Sequence, residues 1–147
     1  MLARELAKKT GLPLFHMDQL FWRGDWEEVV EYEYLRNHHE LICGDSWIIE
    51  GYIDEKMADR LKRSNLIIFL DYPGWLCAWR VIKRWFKYRK TNRPEFSEGA
   101  YEKLELKFLW RVFTRRERVS LDEALQMFPL QRLMVFTSPA ELKHFIV

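Results

Sequence analysis

Residues 66–74 read Leu66-Ile67-Ile68-Phe69-Leu70-Asp71-Tyr72-Pro73-Gly74, and this stretch decides the fold. Five apolar residues in unbroken series lack the alternation of a half-exposed strand and match one covered on both faces. Asp71 ends the run, and Pro73 just beyond it forbids further ladder pairing. The period then changes. Trp75, Trp79, Ile82 and Phe86 recur at helical spacing over about 74–88, with Arg80, Lys83, Arg84 and Lys87 on another side. A buried strand feeding directly into a helix is half of a βαβ unit, so the expected class is α/β with a parallel sheet.

The amino-terminal side agrees. Leu2, Ala3, Leu6 and Ala7 mark a helix stopped by Gly11 and Pro13, with no capping residue ahead of it. Leu14–Met17 is a short strand ending at Asp18. Asp25 and Glu28 have capping-box spacing, which predicts a helix to about His39. Trp47–Ile49 is a second buried strand closed by Glu50 and Gly51, followed by a short helix around Met57–Leu61. On the carboxyl side a polar stretch from Lys90 to Gly99 precedes a helix marked by Leu106, Leu109, Trp110 and Phe113. Ser120 and Glu123 predict a short helix, Leu133–Phe136 a last strand, and Ser138-Pro139-Ala140-Glu141 the cap of a final helix. One α/β domain over residues 1–147 is expected, with a helical insertion at about 74–118.

The 147 residues are 48% hydrophobic and 31% charged, an ordinary globular balance that argues against wholesale disorder. The net charge is +2, but it is unevenly spread: acids exceed bases by about five in residues 1–78, and bases exceed acids by about eight in residues 79–118. Such a local excess suits an anionic partner. Cys43 and Cys77 have no metal-like spacing and read as reduced, buried thiols. His16, His38, His39 and His144 form no zinc pattern. No apolar run is long enough to cross a bilayer and no leader is visible, so a cytoplasmic protein without a membrane partner is expected.

Ligands of open parallel sheets bind beyond the carboxyl ends of the strands. Three predicted strands end in an acid: Asp18, Glu50 and Asp71. Each acid either caps the turn that follows or serves to hold a metal, orient a hydroxyl or take a proton. Arg80 and Arg84 lie one helical turn apart, with Arg89 and Arg93 just beyond. Planar guanidinium forks suit phosphate oxygens, so these four form a candidate phosphoryl clamp; the alternative is pairing with Glu95, Glu98 and Glu102.

These residues carry a family resemblance. Leu2–Pro13, His16-Met17-Asp18-Gln19-Leu20-Phe21-Trp22, Trp47-Ile48-Ile49-Glu50-Gly51-Tyr52 and Ile67–Pro73 look like successive blocks of the adenylate-kinase-related P-loop proteins usually labelled DNA topology modulation proteins. Trp79-Arg80 with Lys83-Arg84, Thr91-Asn92-Arg93-Pro94, and Gly99 with Glu102 continue the series, in order, to about Ile146. The resemblance implies a three-layer P-loop-kinase-like fold and phosphoryl transfer from ATP with Mg2+ to a small acceptor. It makes the basic insertion a lid carrying Arg80, Arg84, Arg89 and Arg93. Asp18, Trp22, Glu50 and Tyr52 would line the acceptor side, Arg60 would reach the acceptor's charge, and Asp71 would sit near the metal. The label also implies an influence on DNA topology.

One departure outweighs the matches. The family opens with a strand and a G-x-x-x-x-G-K-[ST] loop, and no such sequence occurs here. In the resembled fold that strand is central, between the strands ending at Glu50 and Asp71. Without it neither ATP nor Mg2+ is expected to bind this chain tightly, and the chain as written is expected to be inactive. It is then a piece of a longer kinase-like protein or a shortened relative kept as a binding or regulatory module. The competing function is nucleic-acid binding by residues 79–118, where Trp85, Phe86, Tyr88, Phe108 and Trp110 interleave with bases. Against it, the tryptophans fall on apolar helix faces and read as core. The third reading is an inert, poorly folded fragment.

Overall fold

The computed structural model describes residues 2–23, 26–53, 56, 58–91, 102–116, 122–123, 126 and 133–146. The protein is α/β, and the strand pairs of its sheets are parallel among the described residues. It forms two compact units: Met1–Met57 with Tyr88–Glu102, and Ala58–Lys87 with Lys103–Val147.

The first unit runs α1 (Leu2–Thr10), β1 (Leu14–His16), α2 (Met17–Phe21), α3 (Glu31–Ile42) and β2 (Ile48–Glu50). Gly11 ends α1 in the left-handed region at φ +72°, its N–H donating to Ala7 O at 2.8 Å. β1 and β2 pair in parallel, with Leu14 opposite Ile48, Phe15 opposite Ile49 and His16 opposite Glu50. Ala3, Met17, Val29, Tyr34, His38, Ile42 and Ile53 are buried.

Two sequence expectations are corrected in this unit. β1 stops at His16 rather than Asp18, because Asp18 O accepts the Trp22 N–H at 3.0 Å and closes the single turn of α2. Asp18 therefore sits in a helical first turn. The second helix of the sequence reading begins at Glu31 rather than beside Asp25 and Glu28. Glu28 lies in an antiparallel bridge with Trp22, and Arg23 N–H donates to Glu27 O while Val29 N–H donates to Phe21 O, both at 2.8 Å. That local bridge uses backbone groups a helix would need. Asp25 lies outside the described residues.

The second unit runs α4 (Ala58–Arg63), β3 (Ile67–Leu70), α5 (Gly74–Tyr88, as far as Lys87), α6 (Leu106–Thr114), β4 (Leu133–Phe136) and α7 (Pro139–Ile146). β3 and β4 pair in parallel from Ile67 opposite Leu133 to Leu70 opposite Phe136, and Asp71 N–H extends the ladder to Phe136 O at 2.8 Å. α7 carries its expected cap: Ser138 Oγ accepts the Glu141 N–H at 3.3 Å. Glu141 in turn accepts the Thr137 N–H at 2.8 Å, the main cause holding its carboxyl below the usual range. Ser120, the other predicted cap, lies outside the described residues.

Among the described residues the strands form two separate two-stranded sheets, β1 with β2 and β3 with β4. No described helix is long and apolar enough to cross a membrane. The reading of the tryptophans as core fails for Trp75, Trp79 and Trp110, all exposed. α5 buries Gly74, Ala78 and Val81 instead. These small side chains admit a close neighbour, and the tryptophan row lies about 110° further round the helix. Cys43 is exposed rather than buried, and Cys77 is half-buried.

Candidate functional site

The first unit brings two sequence-separated polar residues together at the carboxyl ends of paired strands. His16 and Glu50 are register partners, and His16 Nδ1 lies 2.7 Å from Glu50 Oε1. The His16 side chain is 11% exposed and that of Glu50 is 41%, so the imidazole is sheltered while the carboxylate stays in reach of water. An ionised carboxylate only accepts, so Nδ1 carries the proton and Nε2 of a neutral ring keeps its lone pair.

Local backbone geometry holds this pair. The chain leaves β2 through Gly51 at φ +134°, and a Cβ there would fall 2.7 Å from Met17 Cβ. Only glycine combines that dihedral with passage over buried Met17, the residue after His16. The close approach of the two strand exits sets His16 beside Glu50.

Asp18 is half-buried two residues beyond His16, in the first turn of α2. Trp22 belongs to an aromatic cluster, meeting the Phe21 ring at 4.7 Å and the Trp26 ring at 5.4 Å, both edge-on. Tyr52, two residues beyond Glu50, is exposed. Of the predicted acceptor residues, Asp18, Trp22, Glu50 and Tyr52 thus fall in one unit, at the end of β2 or on the segments that leave β1 and β2. Arg60 belongs to the second unit, where it is buried in α4.

The end of β3 has different chemistry. The Asp71 carboxylate is mostly buried and forms an ion pair with Arg115, which caps α6 in the left-handed region at φ 56°. Beside it Tyr72 is buried, with the Arg80 guanidinium 4.7 Å from the centre of its ring. The Cys77 S–H donates to Tyr72 O at 3.7 Å. Burial pushes the Cys77 thiol up, and the Arg80 charge opposes this more weakly. Of the clamp arginines, Arg80 and Arg84 lie one turn apart on α5, Arg80 exposed and Arg84 half-buried. Arg89 is exposed and belongs to the first unit, and Arg93 lies outside the described residues.

Magnesium does not fit the described residues. No three His, Cys, Asp or Glu among them cluster closely enough to hold a metal ion. The acid assigned to the metal, Asp71, is already engaged by a guanidinium that would repel a cation. No G-x-x-x-x-G-K-[ST] sequence occurs among the 147 residues.

His16 is the residue that sequence reasoning misses. A usable signal exists: the histidine and Glu50 both close short apolar runs, and parallel pairing of those runs sets them side by side. Comparison of the chain with protein-family models, with curated proteins and with solved structures finds no match.

Proposed function

We propose that this chain is the acceptor-side and lid portion of a P-loop-kinase-like phosphotransferase, and that these residues alone do not transfer phosphate. The observation that carries the reading is the division of the strands. A kinase-like sheet lacking its central strand would leave two parallel pairs, one containing the strand that ends at Glu50 and the other the strand that precedes Asp71. β1 with β2, and β3 with β4, have that composition.

Within this reading the chain's own residues have defined work. His16 Nε2 takes the proton of an acceptor hydroxyl, and Glu50 holds the ring in the required tautomer. A positioned base of this type supplies about 10²–10⁴-fold in rate. Arg80 and Arg84 offer guanidinium forks to phosphate oxygens, for which Arg80 must leave the Tyr72 ring.

The experiment begins with the DNA upstream of the Met1 codon and ends with a transfer assay. Reading upstream should reveal an in-frame strand and glycine loop, and the chain bearing them should bind ATP with magnesium and phosphorylate a hydroxyl acceptor. In that longer chain His16→Gln should lower kcat by about 10²-fold or more. An in-frame stop codon with no loop upstream, or tight ATP binding by residues 1–147 alone, defeats the proposal.

A further inference from the structure

The second unit carries an apolar surface that its own fold does not cover. On α5, Trp75 is 64%, Trp79 58% and Phe86 60% exposed, and on α6 Leu106 is 77% and Trp110 58% exposed. At 100° per residue, Trp75, Trp79 and Phe86 fall within about 40° of arc on α5, as do Leu106 and Trp110 on α6. Phe113, also exposed, continues the α6 row. Each row therefore runs along its helix as a narrow apolar strip.

A basic row flanks each strip. Lys83, Lys87 and Arg80 lie roughly 60–120° round α5 from its aromatic row, and Lys107 and Arg111 lie at a similar offset on α6. All five are exposed. Neither helix contains an acidic residue. A second copy of this surface would bring like charges together, which disfavours self-pairing.

We propose that α5 and α6 form a docking surface for an anionic lipid bilayer, lying in its headgroup region. An apolar row bearing tryptophan and leucine beside a Lys/Arg row is the composition of helices that rest in the membrane interface. The row sinks toward the acyl boundary while the bases meet lipid phosphates and carboxylates. Tryptophan suits that depth because its ring is apolar and its N–H is polar. Single-stranded nucleic acid would share the charge but would need aromatic faces open to bases. Here Trp110 and Phe113 stack on each other, with centroids 5.9 Å apart and planes 22° from parallel. Aliphatic Leu106, the most exposed of the set, offers a base nothing to stack upon.

The test is flotation of the full 147-residue chain with vesicles of phosphatidylcholine alone and with about one-third phosphatidylserine. The chain should float with the anionic vesicles only, with a blue shift of tryptophan emission. Lys83→Gln and Lys107→Gln should each weaken partitioning about fivefold. Trp79→Ser and Leu106→Ser change exposed positions, so circular dichroism should stay unchanged while flotation is lost. Equal partitioning to neutral and anionic vesicles, or to neither, overturns the proposal. So does tighter binding to a single-stranded oligothymidine that the same four substitutions abolish, or concentration-dependent self-association that removes flotation.

Discussion

At the residue scale, Tyr72 presents a measurable anomaly. Its ring is buried beneath Arg80, yet its hydroxyl is buried with no hydrogen-bond partner among the described residues. A buried unsatisfied hydroxyl costs about 1–3 kcal/mol. Tyr72→Phe keeps the ring and its cation contact, so it should leave stability unchanged or raise it by up to about 1 kcal/mol in urea unfolding. A clear loss would mean that the hydroxyl has a partner. Cys77 shows a second effect of burial. Its thiol titrates above the ordinary 9.0, chiefly through desolvation, with Arg80 pulling the other way. A raised folded value gives stability that is complete below the unfolded thiol's range and is lost as pH rises through the folded one. Iodoacetamide should therefore label exposed Cys43 before Cys77, with the Cys77 rate still climbing above pH 9.0. Equal rates would contradict the burial.

Among the elements, α5 shows what a sequence makes legible and what it leaves out. Its limits are readable because Pro73 stops the strand and the apolar period starts at once. Periodicity assigns residues to a face but does not say which face a neighbour covers. The neighbour here is the carboxyl end of α6: a Cβ at Gly74 would collide with the backbone oxygen of Phe113. Gly74→Ala should thus force the two helices apart and cost about 1–3 kcal/mol, read as a lower urea midpoint. An unchanged midpoint would show that the helices do not meet there. The start of α3 eludes the sequence for a related reason. Asp25 and Glu28 have the spacing of a cap, but the bridge between Trp22 and Glu28 claims that backbone first. His16 and Glu50 are hard to connect by reading alone because they stand 34 residues apart and only strand register unites them.

For the whole molecule, the α/β class follows from short continuous apolar runs alternating with helical periods, which survive any error in element limits. The division into two units is not readable in this way. The chain passes between them three times, near residues 57, 87 and 102, so residues of each unit interrupt the other in sequence. Neither unit corresponds to one continuous segment.

The strand pairs also differ in how far the chain must travel to make them. Leu14 meets Ile48, whereas Ile67 meets Leu133, nearly twice the separation. Each doubling of a closed loop adds only about 0.6 kcal/mol of entropy cost, so thermodynamics hardly distinguishes the pairs. Synthesis on the ribosome does. Ile67–Leu70 emerges well before Leu133–Phe136 is translated, and during that interval its apolar side chains and unpaired backbone are a ready target for chaperones that grip extended segments.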